Sequence, residues 1–250
     1  MTRVDEMRAP PKRRFSLAHP VPPAQGEYRY VYLWQWPIRA MHWIAALSIV
    51  ALVITGFYIG RPYFMTGTEE TPRFIMGWMR LIHFLAAAAI VTTGIVRVYW
   101  LIAGNQYERL PALFPVRKQD WINLFRTVKY YLMIHPDRAP RYLGHNPLQQ
   151  LSYTFIYLVV LVMVITGFAL YGQSNPGGLI DTLFGWTAGL VGGMQVVRFI
   201  HHVLTWVLLI FIPIHVYLAI RADRLEGTAS ISSIVSGGRF VPTDHDYVDG

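Results

Sequence analysis

Four of the nine histidines in this chain, His42, His83, His201 and His215, fall within or at the edge of apolar stretches, with His202 beside the third of them. An ionisable side chain at membrane depth is expensive to hold and marks function more often than packing. His201 and His215 stand fourteen residues apart, an interval that on a helix returns to within ~40° of the same face and separates the rings by ~21 Å along the axis. One helix therefore presents an imidazole near each surface of a bilayer. His202, thirteen residues before His215, points well away from it and is the poorer candidate. Histidines placed this way can ligate the iron of a haem, relay protons or hold a bare metal ion. The chain has no cysteine, which excludes disulfides, cysteine-ligated iron–sulfur clusters and covalently attached haem. Histidine must carry any cofactor chemistry.

The elements that position these rings are membrane spans. Of the 250 residues, 54% are hydrophobic and only 14% charged, against roughly 25% charged in a soluble domain. A span takes about 20 mostly apolar residues, and four such stretches are read at about 41–60, 81–103, 151–171 and 199–220. The net charge of +8 sorts by side instead of forming a stripe for nucleic acid, which is set aside as a partner. Arg3, Arg8, Lys12, Arg13, Arg14, Arg29 and Arg39 precede the first span. Arg109, Arg117, Lys118, Arg126, Lys129, Arg138 and Arg141 fill the middle loop, while the other two loops hold only Arg61, Arg73, Arg80 and Arg198. By the positive-inside rule both termini and the middle loop are cytoplasmic. The expected fold is an all-α integral protein of the cell membrane, a four-transmembrane-helix bundle over residues 31–225. Residues 1–30, rich in Pro and Arg and without a signal-peptide core, are expected as a disordered cytoplasmic tail, and 226–250 as a second cytoplasmic tail.

Local signals place smaller elements. Trp121, Leu124, Phe125, Val128 and Leu132 recur at helical spacing and predict a short amphipathic helix on the membrane surface. Asn146-Pro147 reads as an N-cap followed by proline at the first helical position. Leu179–Leu190 is expected to form an interfacial helix. Ile54-Thr55-Gly56-Phe57 is echoed by Ile165-Thr166-Gly167-Phe168 at similar depth in the third span, as an internal repeat or as ordinary small-residue packing.

Depth supplies the pairing of the histidines. His42 opens the first span on the cytoplasmic side, level with His215, and His83 opens the second on the outer side, level with His201. Each pair is expected to hold one haem iron between two imidazoles, which leaves no open position and suits electron transfer better than oxygen chemistry. Gly56 follows His42 by fourteen residues and Gly94 follows His83 by eleven. Both read as places where a macrocycle approaches the backbone, or as helix packing positions. Arg97 follows His83 by fourteen, and either meets a haem propionate or snorkels to the interface.

The segments Ile38-Arg39-Ala40-Met41-His42-Trp43, Met76-Gly77-Trp78-Met79-Arg80-Leu81-Ile82-His83-Phe84, Gly144-His145-Asn146-Pro147 and His215-Val216-Tyr217-Leu218-Ala219-Ile220-Arg221 resemble the b-type cytochrome subunit of membrane-bound uptake [NiFe] hydrogenases. The likeness covers about residues 30–240. It implies that His42, His83, His201 and His215 ligate two haems b, and that the cytochrome anchors the small and large hydrogenase subunits outside the membrane and reduces quinone. In members of that family another histidine often stands three residues before the position of His201. Here that residue is Arg198, which offers an alternative partner for an outer-haem propionate.

The function expected is therefore that of an electron-transfer subunit, not an enzyme on its own. It passes electrons from the iron–sulfur small subunit, docked on the outer loops 61–80 and 173–198, to the quinone pool. Quinone is expected beside the inner haem. There Asn146 can hydrogen-bond a quinone carbonyl and His145, with an ordinary pKa near neutrality, can relay a proton; otherwise Asn146 only caps the helix and His145 sits in solvent. A formate dehydrogenase cytochrome subunit is the nearest alternative, which Gly144–Pro147 and Gly77–Arg80 disfavour. A histidine-lined proton or metal transporter is the alternative of another class, disfavoured by spans without Asp or Glu.

Overall fold

A computed structural model describes residues 27–62, 74–115, 117–132, 141–226, 230–243 and 246–249. Four helices in it are long and apolar enough to cross a membrane: α1 (Trp36–Gly60), α2 (Ile75–Ala103), α4 (Pro147–Gly172) and α7 (Met194–Glu226). Each contains its predicted span and runs beyond it. The excess is greatest for α7, whose 33 residues extend ~50 Å, well past a hydrocarbon core of ~30 Å. Buried side chains are scarce along the spans, only 6% of the most apolar stretch of α7 and 11% of those of α1 and α2, as expected of helices whose outer faces meet lipid.

Sequence dictates the ends of these helices. At α4, Asn146 Oδ1 accepts from Gln149 N–H while Gln149 Oε1 accepts from Asn146 N–H, a reciprocal capping box followed by Pro147. Gln35 precedes α1, and its N–H donates to Glu108 Oε1 at 2.6 Å. Glu108 is only 1% exposed and also accepts from Trp100 Nε1 at 2.8 Å. A carboxylate at this place satisfies and electrostatically favours a helix start. Gly192, at φ +92°, ends the second of two short helices, α5 (Leu179–Phe184) and α6 (Trp186–Val191). These replace the single helix expected over Leu179–Leu190. The helix expected near Trp121 is α3 (Lys118–Tyr131), which lays Leu124 and Thr127 inward and leaves Trp121 and Phe125 exposed.

The all-α expectation holds for the membrane part alone. Tyr28–Tyr32 forms β1 and Gly238–Pro242 forms β2, an antiparallel pair with Tyr30 opposite Phe240. Leu33, Leu143 and Val241 close a small core beneath it. The region read as a C-terminal tail is thus structured where described, with α8 (Ser233–Ser236) leading into β2. The Asp249 carboxylate accepts from the N–H groups of Leu143 and Gly144. β1, β2 and the described parts of the middle loop consequently share one side of the bundle, called here the terminal side.

Two helix pairs make up the membrane part. α1 packs along α2 and α4 along α7, whereas the pairs make no extensive backbone contact with each other.

Candidate cofactor site

His83 and His201 come from different helix pairs, His83 from α2 and His201 from α7, and lie close enough to interact through space on the side away from the termini. Thr55 of α1 stands behind His83, with Oγ1 2.9 Å from Nδ1. Thr166 of α4 stands behind His201 in the same way, again at 2.9 Å. A Cβ built on Gly56 would approach His83 Cε1 to 3.3 Å, and one built on Gly167 would approach His201 Cε1 to the same 3.3 Å. The missing side chain at each glycine makes room for an imidazole. The Ile-Thr-Gly-Phe echo is therefore one device used twice. Thr55 lies nineteen residues into the chain from Trp36 at the start of α1, and Thr166 nineteen from Pro147 at the start of α4.

On the terminal side His42 of α1 and His215 of α7 likewise lie within electrostatic range of one another. Their support is aromatic. His215 stacks on Phe211 with ring centroids 5.6 Å apart and planes 14° from parallel, and His42 meets the Trp43 ring edge-on at 5.3 Å. Pro213 lies within α7 two residues before His215. Among the described residues neither ring has a hydroxyl or carbonyl partner like those of His83 and His201.

The remaining sequence candidates fall as follows. Gly94 has open space around its Cβ position. Arg97 is engaged by protein groups: Nε donates to the Tyr157 hydroxyl at 3.2 Å and NH1 to the Glu108 carbonyl at 3.0 Å. Arg198 donates to Gln195 Oε1 at 2.9 Å and faces Gln173. His202 accepts from Trp206 Nε1 at 3.4 Å and lies edge-on to Phe57. Of the docking loop 61–80, residues 63–73, Arg73 among them, lie outside the described residues, as do Arg3, Arg8, Lys12, Arg13, Arg14 and Arg138.

His145 is not in bulk solvent. Its ring lies 4.7 Å from that of Trp34 and 4.8 Å from that of Tyr153, and its Nδ1 is buried without a partner. Burial pushes its pKa down to about 3, the Arg97 guanidinium pushes the same way, and hydrogen bonding to the Tyr107 backbone opposes them. The expected titration near neutrality is corrected: the ring is neutral at pH 7. Asn146 spends its side-chain oxygen on the helix cap.

The register that carries Thr55 to Thr166 carries His42 to Tyr153, and the one that carries His83 to His201 carries Arg97 to His215. The repeat is thus complete on one side and broken on the other. His145 packs against Tyr153 and lies within electrostatic range of Arg97, the two residues that occupy the histidine positions in the opposite halves. Sequence reasoning missed the threonines, Gly167, Pro213 and Glu108; the echoed tetrapeptide was the signal for the first two.

The donor set fits a haem better than a bare ion. At each level an imidazole from one helix pair lies within electrostatic range of an imidazole from the other, and no group of three or more His, Asp or Glu side chains placed to hold a metal ion occurs among the described residues. A profile of the family described as prokaryotic cytochrome b561 matches residues 33–237. The "Probable Ni/Fe-hydrogenase B-type cytochrome subunit" of Azotobacter chroococcum mcd 1 is 40% identical over 218 residues, 86% of this chain and 90% of that protein. The protein of the same name from Rhodobacter capsulatus is 35% identical, covering 86% and 83%. The "Probable Ni/Fe-hydrogenase 1 B-type cytochrome subunit" of Escherichia coli (strain K12) is 34% identical, covering 83% and 90%.

Proposed function

We propose, for a chain that belongs to the prokaryotic cytochrome b561 family, that it is the dihaem subunit which accepts electrons from the iron–sulfur small subunit of a [NiFe] hydrogenase and delivers them to quinone. That it is a membrane-embedded, hydrogenase-associated b-type cytochrome subunit follows from the family, the relatives and the four apolar helices. The observation that carries the finer reading is the meeting of His83 with His201 and of His42 with His215, each pair joining the two halves of the bundle at a different depth.

His83 with His201 and His42 with His215 would each hold a haem iron, which between two imidazoles would supply one-electron transfer. The chain's own part is to fix four imidazoles and to exclude water with apolar helices. The basic terminal side faces the cytoplasm, since basic residues flank α1 and fill the middle loop. Both chain ends are therefore cytoplasmic, in the cell membrane. The hydrogenase small subunit docks on the opposite face, which includes α5 and α6, with the large subunit carrying out hydrogen oxidation. Quinone is reduced on the terminal side, near His145 and Asn146. There the buried, unpartnered Nδ1 of His145 offers an acceptor for a quinol hydroxyl, and Arg97 supplies positive charge. Gly56, Gly94 and Arg97 line or support the haem sites.

The purified complex, given hydrogen, should show reduced b-type alpha and Soret bands and then reduce a quinone analogue. Asn146→Ala and His145→Ala should slow quinone reduction while the bands still appear with hydrogen. Absence of the bands in the wild type would end the cytochrome reading, and unchanged quinone kinetics in both variants would move the quinone site elsewhere.

A further inference from the structure

We infer that Thr55 and Thr166 are matched positioning residues that lock His83 and His201 in one tautomer, proton on Nδ1, so that Nε2 of each ring is held bare and aimed between the two helix pairs. The inference deepens the dihaem reading and rests on it for the identity of the metal.

Proton accounting on each threonine carries the argument. A threonine hydroxyl has one proton and two acceptor lone pairs. Thr55 Oγ1 lies 2.6 Å from the Ala51 carbonyl and Thr166 Oγ1 lies 2.7 Å from the Val162 carbonyl, in both cases four residues back on the same helix. A carbonyl only accepts, so the hydroxyl proton is committed to it. The second short contact of each hydroxyl, 2.9 Å to a histidine Nδ1, must then be made by a hydrogen on Nδ1. A second acceptor points the same way: His83 is within hydrogen-bonding reach of the Leu52 backbone and His201 of the Met163 backbone. These stand three residues before their respective threonines. A neutral imidazole with its proton on Nδ1 leaves Nε2 as the lone pair.

Sterics complete the lock. Gly56 and Gly167, each next to its threonine, let the ring edge approach to where a Cβ would stand at 3.3 Å from Cε1. Each ring is thus held between a hydroxyl and a bare backbone, both supplied by a helix other than the one that bears it. Recurrence of the whole arrangement in both halves, down to the carbonyl four residues back, is the reason to read it as built for the ligand and not as packing. Partners that hydrogen-bond the distal nitrogen of a ligating histidine fix its orientation and raise its basicity. More basic ligands favour the ferric state, so these hydroxyls hold down the potential of the component they serve.

The test uses the full hydrogenase complex in membranes and in detergent, with Thr55→Val, Thr166→Val and the corresponding serine variants. Haem content, redox titration and low-temperature EPR are read on each. Each valine variant should shift the same one of two components to higher potential and alter its low-spin g-values, leaving the other unmoved, and each serine variant should restore both. Loss of that one haem in a valine variant, with retention in its serine counterpart, supports the lock equally. Unmoved potentials and g-values in both valine variants would overturn it, as would valine variants that move different components, or serine variants that behave like valine. A wild-type complex without haem would show up in the first measurement and would end the functional reading itself, taking the lock with it.

Discussion

The two histidine pairs differ in how the fold supports them. Away from the termini, His83 and His201 are backed by the same threonine, the same glycine and the same carbonyl relay from two separate helices. On the terminal side, His42 and His215 rest on aromatic rings, and the register-matched positions in the other halves hold Tyr153 and Arg97. A symmetric end needs only to hold a cofactor between two like supports. At the asymmetric end a ligand pair occupies one diagonal, and the other is left to a cluster of His145, Tyr153 and Arg97 in which one ring nitrogen has no partner. The proposed division of labour, one end receiving electrons and the other passing them on with protons, rests on this difference.

The largest effect that tests this comparison comes from α7, which contributes to both ends. His201→Ala should remove one of two haems and His215→Ala the other, measured as halved haem content with a different redox component missing in each. His202→Ala should keep both, because that ring is engaged by Trp206 and Phe57.

A smaller effect concerns only the terminal side. His145 has its pKa lowered to about 3 in the folded chain from an ordinary value near 6.5. Below pH 6.5 the unfolded segment takes up a proton that the folded one refuses, so stability is lost as pH falls from about 6.5 toward 3. With the intrinsic pH dependence of exchange divided out, the protection of the Leu143 and Gly144 amides, which donate to Asp249, should therefore fall over that window. His145→Phe should flatten the dependence, and amides of the Thr55 and Thr166 turns should not follow it. A wild-type profile flat across the window would remove the buried, neutral histidine from the account.

Smaller still is the aromatic support. A stacked ring pair contributes about 0.5–1.5 kcal/mol beyond its buried area, so Phe211→Leu should broaden the EPR signal of the terminal-side component without emptying the site. A change in the other component instead would mean that the two ends are not independently supported.

What was legible in the sequence follows from the range of the interactions. The fourteen-residue interval between His201 and His215 is read through helix periodicity, and the cap at Asn146-Pro147 through the side chains of adjacent residues; both need only local information. The echoed tetrapeptide was visible too, but its purpose was not, because Thr55 serves a histidine on α2 and Thr166 one on α7. The pairing of β1 with β2 joins residues near the two chain ends, so the alternating Tyr28, Tyr30 and Tyr32 had no partner to be read against. The burial of His145, read from sequence as a proton relay or a ring in solvent, was not legible because Trp34 and Tyr107, which help enclose it, are distant in the chain. Glu108 carries no local signal, because its burial follows from capping α1, which is remote in the chain.

The central claim is the pairing of the four ligands, and combined substitutions test it most directly. Haem per chain should be one in His42→Ala/His215→Ala, the same as in either single variant, and zero in His42→Ala/His83→Ala. Loss of both haems from the His42→Ala/His215→Ala protein, or retention of one in the His42→Ala/His83→Ala protein, would contradict the account.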